Sequence, residues 1–170
     1  MDLKTYVRDV PDFPKPGIIF KDITPLLKAP EALNETCEQL AAPYKSDGIT
    51  AVAGIESRGF IFGSVVARIL GAGFVPIRKP GKLPSTKRRY EYVLEYGSDA
   101  LEIHDDAVNA NDRVLIIDDV LATGGTLGAS IALVRDIGAN VAGAATVIEL
   151  TFLDGRKKLD GVRFNSLIEY

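Results

Sequence analysis

Asp118 and Asp119 stand side by side behind four apolar residues, Val114-Leu115-Ile116-Ile117, and ahead of a turn-prone stretch, Thr123-Gly124-Gly125-Thr126, from which a helical pattern begins. Each part has a chemical use. Adjacent carboxylates repel, so a pair kept at the carboxyl end of a buried strand is suited to accept hydrogen bonds from vicinal hydroxyls, such as the 2′ and 3′ hydroxyls of a ribose. Gly124 and Gly125 open backbone conformations closed to other residues. The hydroxyls of Thr123 and Thr126 and the positive end of the following helix complete a cradle for a dianionic phosphate, so Ala122, Thr123, Gly124, Gly125 and Thr126 form the expected phosphate loop. The competing reading is a plain helix cap. The stretch is neither a Walker A loop, since no Gly-Lys-Ser/Thr follows, nor a dinucleotide fingerprint, since Gly-x-Gly-x-x-Gly is absent.

Two further stretches carry charge toward the same chemistry. Arg78 to Tyr90 holds six basic residues and no acid in an otherwise acidic chain. Pro80, Gly81 and Pro84 deny it a regular helix, so it reads as a long loop that closes over anions and excludes water, with a solvated charged loop as the alternative. Glu56-Ser57-Arg58-Gly59 falls between a predicted strand and a predicted helix, where its N–H groups and Arg58 could form a second anion site or simply cap the helix. Glu95-Tyr96-Gly97 has little signal on physical grounds alone, and His104, the only histidine, reads as a surface residue. No Ser/His/Asp spacing and no Cys/His cluster supports a hydrolytic triad or zinc catalysis.

The elements that must position these residues follow from pattern. Residues 11 to 30 hold Pro11, Pro14, Pro16, Pro25 and Pro30 interleaved with Phe13, Ile18, Ile19, Phe20, Ile23, Leu26 and Leu27, an arm that must pack over the core or on a partner. Pro30-Glu31 opens a helix whose apolar face is Leu33, Cys37 and Leu40. Strands are predicted at 50–55, 74–77, 113–117 and 141–148, and helices at 60–70 and 125–137. Residues 92–96 and 100–103 read as a hairpin around Gly97-Ser98-Asp99. Strand–helix–strand repetition implies an α/β fold, a central mainly parallel sheet flanked by helices, with the hairpin as an antiparallel addition.

Composition narrows the class. A chain of 170 residues suits one domain with a full core, and 46% apolar with 25% charged residues is ordinary for a globular protein. A net charge of −3 and a pI near 5.2 argue against a general binder of nucleic acid or anionic membrane. The single cysteine, Cys37, excludes an intrachain disulfide. The N-terminal residues lack the apolar core of a signal peptide, and the longest uncharged run, Val120 to Val134, is 15 residues with three glycines, too short to span a bilayer. The expectation is a cytoplasmic protein.

The run Val114 to Thr126 resembles the 5-phosphoribosyl-1-pyrophosphate (PRPP) signature of the type I phosphoribosyltransferases, and other stretches extend the likeness to the adenine phosphoribosyltransferases over the whole chain. The arm Asp12 to Leu27 looks like that family's hood, Glu56-Ser57-Arg58-Gly59-Phe60 like its pyrophosphate loop, Arg78 to Pro84 and Leu94-Glu95-Tyr96-Gly97 like the two ends of its mobile catalytic loop. The resemblance implies a single domain with a hood at about 1–30, a core at about 31–170 and a mobile loop at about 78–96. It implies transfer of phosphoribose from PRPP to adenine, giving AMP and pyrophosphate, with Mg²⁺ bound through PRPP rather than by direct protein ligands. By the same resemblance, residues 122–126 hold the 5′-phosphate and Asp118 and Asp119 the ribose. Ser57, Arg58 and Lys79 meet the pyrophosphate. Backbone groups of Ile19 and Lys21 read adenine, and Phe20 and Leu150 sandwich it. Glu95 serves as general base with Tyr96 beside it, and Arg58 assists the leaving group. A homodimer, without nucleic-acid or membrane partners, is implied. Two rivals stay open: the same chemistry on xanthine, hypoxanthine or guanine, and a PRPP-sensing regulator.

Overall fold

The computed structural model describes residues 1–93 and 97–170. Strands β1 (Arg8–Pro11) and β2 (Ile19–Asp22) pair antiparallel and are followed by a short helix α1 (Thr24–Lys28) and by α2 (Pro30–Ala41). Then come β3 (Ala51–Ile55), α3 (Gly59–Leu70), β4 (Gly73–Ile77), the hairpin strands β5 (Lys87–Val93) and β6 (Ser98–His104), β7 (Arg113–Leu121), α4 (Gly125–Ile137), β8 (Asn140–Glu149) and β9 (Phe164–Glu169). Five strands form one parallel sheet in the order β4-β3-β7-β8-β9, with helices on its faces, as the sequence pattern predicts.

Burial explains the arrangement. All of β3 and Val114 to Ile117 of β7 are buried, the near-continuous apolar run that a sheet covered on both faces requires. Leu115 and Ile117 pack into one core with Phe62 and Val66 of α3 and Leu40 of α2. Val114 and Ile116 pack into the other with Leu127, Ile131 and Val134 of α4 and Leu101 and Ile103 of β6. β3 runs through α3 outward to β4, and β7 through α4 outward to β8, so the connections diverge between β3 and β7. A crevice at the carboxyl ends of two such strands is the place where open α/β sheets bind ligands.

The hairpin forms its own two-stranded sheet, tied to the main one where Arg78 and Glu102 exchange backbone hydrogen bonds of 2.9 and 2.8 Å. Ile23 and Leu26 of the N-terminal arm are buried, while Phe13, Ile18 and Ile19 stay exposed at its tip, with Phe13 edge-on to Phe20 at 5.2 Å. Among the described residues, no helix is long and apolar enough to cross a membrane.

The structure corrects the sequence reading in five places. β7 continues past Ile117 to Leu121, because β8 is long enough to supply partners as far as Glu149. Asp118 and Asp119 therefore lie within the strand rather than beyond it. The second half of the basic stretch, Lys87 to Tyr90, is strand rather than loop, paired residue by residue from Lys87↔His104 to Tyr90↔Leu101. Backbone ladder bonds hold it while its charged side chains face solvent. Ser98 and Asp99 are strand residues of β6 rather than turn residues. His104 is half-buried at the end of β6, where its Nε2 accepts a 3.3 Å hydrogen bond from the Ser85 N–H. β9 has no counterpart in the sequence reading. Its segment is short and half-buried apart from the buried Ile168 and the exposed Glu169, so alternation is weak.

Candidate active site

One cleft of about 340 Å³ opens at the diverging strand ends, and Ser57, Arg58, Lys79, Asp118, Asp119 and residues 122–126 all line it. The chain brings them there from three connections: β3 to α3, β4 to the hairpin, and β7 to α4.

α4 begins without a side-chain cap, its N-cap residue Gly124 has φ +82°, and no acid occupies its first turn. The first N–H groups therefore point into the cleft without a side-chain acceptor, which disfavours the plain-cap reading and leaves an anion cradle. Gly124 is required twice. Its φ is a left-handed one, and a β-carbon there would strike the carbonyl oxygen of Gly155. α3 likewise starts at Arg58 without a side-chain cap or a first-turn acid. Two uncapped helix N-termini thus face one crevice. Gly59 allows α3 to press on β7, since a β-carbon there would lie 2.7 Å from the Ile117 oxygen and 3.1 Å from Asp118 Oδ1.

The carboxylates sit in contrasting settings. Asp118 is buried, and its Oδ1 accepts a 2.9 Å hydrogen bond from the Asp119 N–H. Burial first, and the neighbouring charge of Asp119 second, push its carboxyl well above the usual carboxylate range. Asp119 is paired with the Arg58 guanidinium. Burial works against the charge of Arg58, but Asp119, with help from Asp118 and Asp22, outweighs it and raises the guanidinium's pKa. Lys79 is paired with Asp99, and the Tyr92 hydroxyl lies 3.5 Å from its Nζ. Glu56 accepts from Arg78 at 3.1 and 3.2 Å and from the Lys79 N–H at 2.9 Å, fixing the start of the basic stretch at the rim.

The residues expected to read a base are not gathered in this cleft. The Phe20 ring centroid lies 5.8 Å from the Arg58 guanidinium. Ile19, on the same strand β2, is exposed, and Lys21 turns its ammonium to Asp9 at 2.7 Å and over the Tyr170 ring. Leu150 is half-buried, its N–H donating to the Leu121 carbonyl at 2.9 Å. Glu95 and Tyr96 lie outside the described residues. Sequence reasoning missed Glu56, Tyr92 and Asp99 as functional neighbours. The last two come from a hairpin whose position no local pattern specifies, whereas Glu56 was legible as the first residue of the turn that holds Arg58.

A family model described as the phosphoribosyl transferase domain matches residues 24–165. The chain is 57% identical over 168 residues to the adenine phosphoribosyltransferase of Methylococcus capsulatus, spanning 99% of this chain and 98% of that one. The chain belongs to the adenine phosphoribosyltransferase family. Its structure is similar to that of the family member from Thermoanaerobacter pseudethanolicus, with a TM-score of 0.96 at 54% identity, covering 99% of this chain and 98% of the other. It is also similar, at a TM-score of 0.89 and 29% identity, to the Trypanosoma brucei member solved in complex with AMP, pyrophosphate and ribose-5-phosphate, covering 98% of this chain and 78% of that one. The matched phosphoribosyltransferase model begins just after β2, whereas the adenine-specific relative aligns through the N-terminal arm as well.

Proposed function

We propose that this cleft transfers the 5-phosphoribosyl group of PRPP to adenine, releasing pyrophosphate and forming AMP in purine salvage. The observation that carries the reading is the pair of uncapped helix N-termini flanking Asp118 and Asp119, since PRPP bears phosphate at both ends of a ribose. Residues 122–126 hold the 5′-phosphate on the α4 amides. Asp118 and Asp119 accept from the ribose hydroxyls, Asp118 through a carboxyl oxygen that can accept in either protonation state.

Cleavage at C1′ leaves positive charge on the ribose ring and negative charge on the departing pyrophosphate, so the useful groups are those that meet the charge as it develops. Arg58 and Lys79, with Ser57, serve the leaving group. The carboxylates beneath the ribose favour the cationic ring. The exposed tip of the arm, with backbone groups at Ile19 and Lys21 and the rings and methyls of Phe20 and Leu150, receives the base. A donor–acceptor pattern read by backbone separates a 6-amino from a 6-oxo purine, because the wrong base leaves buried groups unpaired. Glu95, beside Tyr96, takes the purine proton.

Mg²⁺ enters with PRPP. The cleft offers the carboxylate pair Asp118 and Asp119, hard oxygen donors of the kind that suit a diphosphate-bound Mg²⁺. Bound there, the ion would neutralise charge on the leaving group. Two copies of the chain form the working unit, supported by Ile61 and Phe74, which stay exposed on α3 and on the edge strand β4. We place the reaction in the cytoplasm.

A base panel tests the reading. With Mg²⁺ and PRPP, adenine should yield AMP while hypoxanthine, guanine and xanthine yield nothing. Turnover of a different base would discard the assignment of the hood, and PRPP binding without any turnover would point to a regulator. Asp118→Asn with Asp119→Asn should lower kcat/KM for PRPP by about two to four orders of magnitude, for two charge-assisted hydrogen bonds of about 1.5–3 kcal/mol each.

A further inference from the structure

Lys79 lines the cleft with its ammonium already paired. Its ammonium is paired with Asp99 Oδ2 of β6, and the Tyr92 hydroxyl of β5 lies 3.2 Å from the same oxygen. The other carboxylate oxygen, Oδ1, accepts the Ala100 N–H at 2.8 Å, so the carboxylate is clamped at both ends. Tyr92 in turn reaches Thr126 Oγ1 of the phosphate loop at 3.2 Å and lays its ring over Gly125. The side chains of Lys79 and Asp99 are 40% and 32% exposed, wet enough for an incoming anion to compete for the ammonium. Both Lys79 and Thr126 line the cleft, whereas Asp99 lies behind Lys79 and outside it.

We propose that Asp99 is a positioning residue that acts as a built-in competitor of pyrophosphate for Lys79, and so sets how tightly the product is held. This rests on the reading of Lys79 as a pyrophosphate ligand. The logic is that of an ion exchange. A diphosphate arriving at Lys79 must displace a fixed carboxylate, which weakens its binding. As the product leaves, the carboxylate recaptures the ammonium and offsets the loss of that contact. Tyr92 keeps the carboxylate aimed by donating to it, and the hairpin keeps the pair in register with the phosphate loop through Thr126. A carboxylate in this place works against binding, so its presence makes sense for release rather than for affinity.

The test is calorimetric titration of the full-length protein with pyrophosphate in Mg²⁺, and separately with ribose 5-phosphate. Asp99→Asn keeps size and hydrogen bonding but removes the competing charge, and should tighten pyrophosphate about tenfold, leaving ribose 5-phosphate within about twofold. Asp99→Glu, which restores the charge, should return toward the parent value. In a Lys79→Ala background, where pyrophosphate is weakened, the gain from Asp99→Asn should be lost, the non-additivity that marks two residues acting through one another. Unchanged or weaker pyrophosphate binding in Asp99→Asn, weakening of both ligands, or a gain that persists without Lys79 would each overturn the proposal while leaving the pyrophosphate assignment intact. Unaltered pyrophosphate binding in Lys79→Ala would overturn the assignment itself.

Discussion

Asp118 shows how a single side chain can be kept for function at the expense of the fold. Burial and the adjacent Asp119 raise its pKa in the folded protein above the unfolded value. The folded state then binds the proton more tightly, so stability is greatest below the unfolded pKa and declines as pH rises through the range toward the folded pKa. Asp118→Asn removes the buried charge at constant shape and is expected to raise Tm at pH 7, by about 2–4 °C for each kcal/mol recovered in a chain of this size. The gain should vanish below about pH 4, where the unfolded carboxyl is protonated as well. The same variant should lose PRPP turnover, and scanning calorimetry beside kinetics would show the two effects parting. Cys37 is the contrasting case: burial pushes its thiol up to about 11, which leaves it unreactive inside α2.

At the scale of elements, the phosphate loop is held from behind by a segment that no local motif announces. Gly155 packs against the loop so closely that a β-carbon there would strike the Ala122 oxygen and lie 3.0 Å from the Leu121 side chain. The next residue, Arg156, donates two 2.6 Å bonds to Glu149, the last residue of β8. That bidentate contact, more than the opposing effect of burial, holds the Glu149 carboxyl below its ordinary range. Gly155→Ala is therefore expected to cost about 1–3 kcal/mol of stability from overpacking and to weaken ribose 5-phosphate about 10–100-fold through displacement of the loop. Thermal unfolding and a binding titration check the two parts. The strong elements were legible: the apolar runs of β3 and β8, α4 with Leu127, Ile131 and Val134 on one face, and α3 closed by Gly71 at φ +68°. Strand lengths were not, because a ladder extends as far as its neighbour offers partners. Six basic residues between Arg78 and Tyr90 read as loop by composition, yet three of them join β5, since a ladder needs only backbone on a solvent-facing strand.

For the whole molecule, the exposed apolar groups are the guide. Ile61 on α3 and Phe74 on the edge strand β4 remain 39% and 37% exposed, although Phe74 also packs edge-on against Phe60. The second copy proposed above would cover both, and an edge strand left bare is a liability that oligomers remove. Ile61→Glu should shift the proposed dimer toward monomer in sedimentation or light scattering while lowering Tm little at high protein concentration. An unchanged dimer would place the interface elsewhere. Phe13, Ile18 and Ile19 form a second exposed group at the tip of the arm, in keeping with its proposed role as a receiver of a flat heteroaromatic base.

What the sequence determined by itself is the chemistry available at each strand end. A carboxylate pair, a glycine turn and a helix start are contiguous, so their mutual geometry follows from local backbone rules and can be read without the fold. Residues 118–119 and 122–126 were assigned to one site on that ground, and they line one cleft. Tertiary structure decided what those groups face. Arg58 meets Asp119 because β3 and β7 are neighbours, and Lys79 meets Asp99 because the hairpin is pinned to the sheet edge through Arg78 and Glu102. Gly155 supports the phosphate loop because β8 returns alongside β7. These partners are 61, 20 and about 30 residues apart in sequence. Pairings over such distances arise from sheet order and packing, which spacing along a chain does not encode.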